Sequence, residues 1–461
     1  MKKYDYSELT GEVVTKDNFK YEENRKAWNR AIEKYPQVII YCKEEKDIIN
    51  AISWSKRNDL PIRIRSGAHN YEGFSTGNDL VVIDISKMNS IKIDEENRTV
   101  TIEGGVRNRE LTVCLGSKGY SFPGGGCPTV GIAGLVLGGG WGYSSRLFGL
   151  ACDSLLEVKF IDYNGNIIVA NEELNQDLFW ACKGGGGGNF GIAASMKFKL
   201  NDKNENATLI NIDYLNINID EVIDIIEIWQ KEFNNIDRRL NFKMSIYNSL
   251  EKGKGIHITG LFYGNIEEAN EILEPFKKVN RKVIFNSEYM TVTEANLKIQ
   301  DSHPPYEKYK STGRFVYREY SRNEIYELVN LIETRAKGSV YTALSLYGLG
   351  AAVSEHEKGE SAFYYRDAKC ILGFQSVWEE AEYAEDNRKW LIDRFEHIKS
   401  ITTGSFINFP IAELHDYEKE YYGENLYKLK KVKDKYDPNN VFNYPQSIKG
   451  EKSALNENND I

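Results

Sequence analysis

The 461-residue sequence has no uninterrupted apolar run near the roughly 20 residues that a membrane-spanning helix needs. Its start, MKKYDYSELTGEV, carries two lysines but no apolar stretch behind them, so it does not read as a secretory signal. No block of basic residues stands out, and a net charge of −9 with a pI near 5.5 argues against nucleic acid or an anionic membrane surface as partner. The six cysteines (42, 114, 127, 152, 182 and 370) lie far apart without a C-x-x-C pair, so no disulfide framework is expected. The six histidines are equally scattered, with no H-E-x-x-H or similar ligand spacing, so no metal site is expected. No tandem repeat is apparent. These absences point to a soluble, cytoplasmic protein acting on a small molecule.

What is present is ample material for burial, 41% hydrophobic and 12% aromatic residues in a chain long enough for two domains. ENRKAWNRAIEKYP reads as a helix, QVIIYC as a short strand and EEKDIINAISWSKRND as a second helix. PIRIRSG, LVVIDIS and RTVTIEGG read as strands closed by turn residues. This mixture predicts an α+β domain over residues 1–200. A polar linker at NDKNENA opens a second sheet-plus-helix unit over 201–411, with a strand at 208–215, the amphipathic helix DEVIDIIEIWQKEF, and alternating strands at LNFKMSIYN and GIHITGLFYG. Residues 412–450 form a C-terminal segment with a basic helix ending before Asp437-Pro438, and 451–461 read as a disordered tail.

Glycine is concentrated in three loops. RIRSGAHNYEGFSTG (63–77) runs from a strand into a small-residue turn whose free backbone N–H groups can cradle a phosphate, with His69 at its end. GGGCPTVGIAGLVLGGGWG (124–142) holds nine glycines around one thiol, Cys127, and gives bare backbone for a flat ligand to press against. Gly131 opens an apolar segment that reads as a buried helix whose N-terminus favours an anion. DLFWACKGGGGGNFGIAASMKFKL (177–200) repeats the theme with five consecutive glycines. Each loop alone can be an ordinary turn, and Cys127 an ordinary small buried side chain. Three in one domain point to a large cofactor threaded between them. None is the G-x-G-x-x-G dinucleotide fingerprint in its strand-to-helix setting.

These stretches, together with KYDPNNVFNYPQSI near the C-terminus, resemble the berberine bridge enzyme-like FAD-linked oxidases, of the vanillyl-alcohol oxidase (PCMH-type) FAD-binding fold. The resemblance runs from WNRAIEKYP to QSI and is weaker in the middle. It implies an FAD bound covalently twice, through the His69 imidazole to the flavin 8α-methyl and through the Cys127 sulfur to C6. Both groups are nucleophiles suited to an electron-poor flavin. It further implies that Arg65, Ser66, Gly67, Ala68 and His69 form the pyrophosphate loop, with Asn70, Ser75 and Asp84 in the matching segment. Val130, Gly131, Gly134, Gly138, Gly139, Gly140 and Trp141 match the second FAD loop, and Asn189, Gly191 and Ile192 the third. Tyr444 and Gln446 match the C-terminal return to the flavin. Ala68 departs from relatives that carry glycine there. Tyr71 and Trp141 match aromatic positions facing the substrate. Val130 matches a position where valine accompanies oxidases and leucine poor oxygen reactivity.

The base is where the pattern breaks. Relatives carry a Phe-x-His-Arg segment, a strand Glu or Gln, and a Tyr-x-Asn-Tyr segment. Here Tyr365 precedes Arg366, Gln375 is the nearby strand amide, and Phe406 and Phe409 replace the tyrosines. Tyr71, Tyr365 and Gln375 are the candidate catalytic residues, with Tyr364 a further fallback, while His257 reads as a core histidine. The resemblance thus implies oxidation of a C–H next to oxygen or nitrogen, in a carbohydrate hydroxyl or a secondary-metabolite alcohol or amine. Hydride would pass to flavin N5, and dioxygen would accept the electrons to give hydrogen peroxide. A dehydrogenase of the same fold, a non-catalytic flavin protein and a flavin-free protein with structural glycine loops are the alternatives.

Overall fold

The computed structural model describes residues 4–279 and 282–451, so the tail expected to be disordered lies, from residue 452, outside the described residues. Among the described residues, sixteen strands form three sheets. In the first, β1 (Glu12–Thr15) pairs antiparallel with β2 (Val38–Tyr41), followed by parallel β4 (Val81–Asp84) and β3 (Ile62–Arg65). Of the parallel strands, β2 and β4 are near-continuous apolar runs because both faces are covered, β4 being buried at every position, whereas β3 alternates Ile with Arg. Between them the helix Glu45–Arg57 turns Ile48, Ala51, Ile52 and Trp54 inward at helical spacing. The second sheet is antiparallel, in the order β5 (Ile91–Asp94), β6 (Thr99–Glu103), β9 (Ile192–Lys199), β7 (Leu155–Ile161) and β8 (Ile167–Asn171).

The third sheet has seven antiparallel strands, in the order β13 (Ile284–Thr291), β10 (Asn206–Leu215), β12 (Gly253–Phe262), β11 (Leu240–Ser249), β15 (Ser339–Gly348), β16 (Cys370–Trp378) and β14 (Lys308–Val316). Period-two alternation divides it into two faces. Phe242 meets Phe233 of the helix Ile219–Phe233, and Phe374 meets Trp390 of the helix Ala384–Ile401. The intervening residues, Lys243, Ser245, His257, Thr259 and Gln375, line a cavity on the opposite side.

One expected helix is absent. Helical structure near ENRKAWNRAIEKYP stops at Asn24, and residues 25–36 run without regular helix. The reason is tertiary. The Trp28 N–H donates to Ala68 O, the Arg30 N–H donates to Glu307 O, and Asn29 Nδ2 donates to both Tyr71 O and Tyr309 O. These partners replace intrahelical ones and draw the segment along the cavity wall.

Candidate active site

A cavity of about 570 Å3 runs between the glycine loops and the seven-stranded sheet, within the ordinary size range of small-molecule sites. The turn after β3 and the loop at 124–131 lie backbone to backbone. A Cβ on Gly67 would stand 2.2 Å from the Gly131 nitrogen, and one on Gly131 would stand 2.4 Å from Ser66 Oγ. Only glycine permits that approach. Next to it, Ala68 holds φ +57°, the left-handed conformation that glycine adopts without strain.

This contact brings together His69 and Cys127, both lining the cavity. His69 stacks on Trp28, ring centroids 5.0 Å apart, and its Nε2 lies 2.7 Å from Thr129 Oγ1. Burial, reinforced by the charges of Arg107 and His303, pushes its pKa down to about 3, so the ring is neutral and carries a nucleophilic lone pair. Burial pushes the Cys127 thiol up, opposed by hydrogen bonding from the backbone N–H and hydroxyl of Thr129. Asn108 and Arg109 pin the loop: Asn108 Nδ2 donates to Cys127 O at 3.1 Å, the Arg109 N–H to Pro128 O at 3.0 Å, and the Asn108 N–H to Val130 O at 2.9 Å.

The walls fit a flavin nucleotide. Gly134, exposed to the cavity, has nothing within 4 Å of where its Cβ would be, so the wall there is bare backbone facing open space. Gly187 and Gly188 continue the cradle opposite. Three buried polar atoms of the lining, Trp28 Nε1, Arg63 Nε and Ser75 Oγ, have no partner within the chain, as groups destined for a polar ligand would. Arg63 lines the cavity, whereas Arg65, expected in the pyrophosphate loop, does not. Asn70 caps its own turn through the N–H groups of Glu72 and Phe74. At the far end Tyr444 stacks on Phe74 and accepts from Asn189 Nδ2, while Gln446 donates to Ile411 O and accepts from the Tyr421 hydroxyl.

Other expected residues stand behind the lining. Arg65 and Asp84, opposite each other on β3 and β4, form a buried ion pair, Nε to Oδ2 2.5 Å, and the guanidinium also bonds Asn24 O and the Tyr41 hydroxyl. Gly138, Gly139 and Gly140 make the turn after the helix Ile132–Leu137, and a Cβ on Gly138 would strike Asn408. Ile192 is sheet core. Asn189 is a buried clamp: its Nδ2 donates to Gly185 O, and its Oδ1 accepts from the Ile448 N–H. Ser66, Gly67, Ala68, Val130, Gly131, Trp141 and Gly191 do line the cavity.

On the sheet side Tyr71 lies flat against Phe409, centroids 5.1 Å apart, and edge-on to Tyr309; burial raises its phenol well above the usual range. Gln375, between Ser311 and Ala343 in the sheet, also reaches the cavity. Tyr365 does not. It stacks on Phe315 and donates to Glu420 O at 2.5 Å, outside the lining, and Tyr364 packs against Gly423. Neither is placed to take a substrate proton. His257 is not a core residue either: it lines the cavity, half-exposed, with Nδ1 2.7 Å from Asp213 Oδ1 and Nε2 2.9 Å from Thr259 Oγ1.

The sequence reading missed the segment 301–309. Glu307 is the only carboxylate among the cavity-lining residues, and burial raises its pKa. Beside it His303, with Nδ1 3.0 Å from Ile299 O, is held neutral by burial at a pKa of about 4. Lys243, over the Tyr347 ring at 5.1 Å, is the nearby cation acting on both. HPPYEKY matched no motif, and its only signal was a histidine and a glutamate flanking a Pro-Pro-Tyr stretch in a chain lacking the expected base.

Comparison with known proteins agrees with this construction. A family model described as FAD binding domain matches residues 36–171, and one described as berberine and berberine like matches residues 405–449. An uncharacterised FAD-linked oxidoreductase of Bacillus subtilis is 32% identical over 454 residues, covering 96% of this chain and 98% of its own. Reticuline oxidase of Papaver somniferum is 26% identical, covering 90% of this chain and 83% of its own. Among solved structures, BBE-like 1 of Physcomitrella patens superposes with a TM-score of 0.87 at 24% identity, over 95% of this chain and 97% of that one. A chitooligosaccharide oxidase superposes with a TM-score of 0.86 at 21% identity, over 96% and 98%. The match is one of fold for the structures and of sequence along nearly the full length for the bacterial relative. The chain belongs to the berberine bridge enzyme-like family of FAD-linked oxidoreductases.

Proposed function

We propose that this FAD-dependent oxidoreductase is an oxidase whose flavin is held by two covalent bonds, to His69 and to Cys127, and which oxidises the C–H of a carbohydrate hydroxyl. The observation that carries the reading is the meeting of these two residues, 58 positions apart in sequence, at one cavity wall across a single threonine. The flavin, when bound, accepts hydride and passes the electrons to dioxygen, giving hydrogen peroxide. Val130 on the lining is consistent with an oxidase.

The protein's own part is to bind, orient and deprotonate. Aromatic faces at Tyr71, Tyr347 and Phe409 offer stacking surface to a sugar ring, while Ser245, Thr259, His257 and Gln375 present hydrogen-bonding groups along the sheet. Such a combination favours a polyhydroxylated ring over an apolar amine. Glu307 takes the hydroxyl proton: its raised pKa makes it a stronger base than an exposed carboxylate, and no hydrogen bond among the described residues ties up its oxygens at the cavity.

The test begins with acid precipitation of the purified protein. A yellow pellet whose peptide map carries flavin on both residues supports the double attachment, and a colourless pellet with free FAD overturns it. Anaerobic mixing with a panel of oligosaccharides, alcohols and amines then follows flavin bleaching, and admission of air follows peroxide. In Glu307→Gln the bleaching rate should fall about 10²–10⁴-fold with the flavin still attached. Bleaching by amines alone would overturn the carbohydrate assignment, and reduction without peroxide in air would make the enzyme a dehydrogenase.

A further inference from the structure

We propose that Thr129 is a positioning residue that prepares both attachment nucleophiles, fixing the tautomer of His69 and orienting the Cys127 sulfur. The inference rests on the double attachment proposed above.

The geometry is a relay of three groups. Thr129 Oγ1 is 2.7 Å from His69 Nε2, and Thr129 sits in a short stretch, Cys127-Pro128-Thr129-Val130, whose proline fixes φ and whose Cys127, Pro128 and Val130 carbonyls are held by Asn108 and Arg109. A threonine hydroxyl has one proton to donate and lone pairs to accept with, and a neutral imidazole has one N–H. If the hydroxyl proton pointed at Nε2, the ring proton would sit on Nδ1 and no nucleophilic nitrogen would remain. The arrangement that serves all three groups is the opposite one. Nε2–H donates to Oγ1, the hydroxyl proton turns to the Cys127 sulfur, and the Thr129 backbone N–H adds a second donor to that sulfur. This leaves Nδ1 with its lone pair and the sulfur with two donors favouring negative charge. One side chain thereby settles which histidine nitrogen reacts and offsets part of the burial that keeps the thiol protonated.

The chemistry balances with dioxygen as oxidant. At His69, a C–H of the flavin methyl is replaced by C–N, and the ring sheds its Nε2 proton towards Oγ1. At Cys127, a ring C–H is replaced by C–S, and the thiol proton leaves. In each case two electrons pass through the flavin to dioxygen, and one hydrogen peroxide is formed per bond.

The experiment compares wild type with Thr129→Val and Thr129→Ser, each purified and incubated aerobically with added FAD. It reads intact mass under denaturing conditions over time, flavin-peptide maps, and total flavin released by acid. Wild type should carry flavin on both residues. Thr129→Val should still bind FAD but form the covalent bonds at least about tenfold more slowly, and Thr129→Ser, which keeps the hydroxyl, should match wild type. The proposal is overturned if Thr129→Val attaches FAD at both residues at the wild-type rate. It is equally overturned if Thr129→Ser is as slow as Thr129→Val, which would assign the effect to the methyl group's shape. A Thr129→Val chain that binds no FAD of either kind counts against it too, because Thr129 would then belong to the seat. A wild-type chain without covalent flavin sinks the double attachment itself, an outcome distinct from all of these.

Discussion

Replacing Lys433 by methionine tests how the C-terminal segment is tied to the third glycine loop. Lys433 is 1% exposed, and its three ammonium protons are all used: Nζ donates to Asn189 O at 2.8 Å, Asp437 Oδ2 at 2.6 Å and Phe442 O at 2.7 Å. Asp437, fully buried, accepts in addition from the N–H groups of Val441 and Phe442. Methionine matches the lysine stem in volume, so packing is largely kept, while the carboxylate and two carbonyls lose their shared cation. Breaking a buried pair on one side costs about 3–5 kcal/mol. A chain of this length melts with an entropy of about 1 kcal/mol per kelvin, so Tm should fall by about 3–5 °C, or further if the melting unit is smaller. In a cycle with Asp437→Asn, the double variant should lose less than the sum of the singles, by a coupling of about 0.5–3 kcal/mol. Asn189 also holds Tyr444, so the flavin bound per chain should fall along with Tm. Calorimetry and flavin absorbance on the four proteins make the measurement. A Tm within a degree of wild type for Lys433→Met, or strict additivity in the cycle, would refute the clamp.

Gly134→Ala should separate fold from cofactor. The new Cβ meets nothing within 4 Å and sits in a helix, so the flavin-free chain gains up to about 1 kcal/mol, while flavin binding, followed by titration, weakens because the methyl group stands in the cavity. Tyr365→Phe should leave flavin reduction by substrate unchanged in stopped flow and cost about 1 kcal/mol of stability, since its hydroxyl serves only Glu420 O outside the cavity. For His303 the sign follows from a folded-state pKa of about 4 against an ordinary 6.5. The unfolded chain binds the extra proton between those values, so stability is full above 6.5 and declines as pH falls towards 4. His303→Gln should flatten that acid slope in unfolding curves measured from pH 4 to 7, and an unchanged slope would remove His303 as its source.

The flavin half of the site was legible because it is built from local, self-contained stretches. A turn that needs Gly67 against Gly131, or a left-handed residue at 68, leaves its mark within a few positions, and His69 and Cys127 ride on those turns. The alternation in LNFKMSIYN and GIHITGLFYG likewise marked which strand residues share a face, though not that the polar face would line the cavity, which is why His257 read as core. The stretch 25–36 misled for the opposite reason. Its helical pattern is real, but hydrogen bonds to residues 68, 71, 307 and 309 outweigh it, and no sequence window contains those partners.

The same division explains why residues 301–309 were not among the candidates for the proposed base. Choosing Tyr71, Tyr365 and Gln375 as candidates, with Phe406 and Phe409 in place of the tyrosines, kept the search to positions of the family pattern. The cavity closes instead around residues 301–309, which reach it because Glu307 pairs backbone to backbone with Asn29 and Arg30, the segment that also carries Trp28 against His69. A carboxylate arriving from that side leaves the positions at 406 and 409 free to be apolar, and Phe409 uses the freedom to stack on Tyr71. Converting Phe409 to tyrosine in a Glu307→Gln background is therefore where a transplanted phenol could restore flavin reduction, whereas a phenol at 365, turned to Glu420, could not.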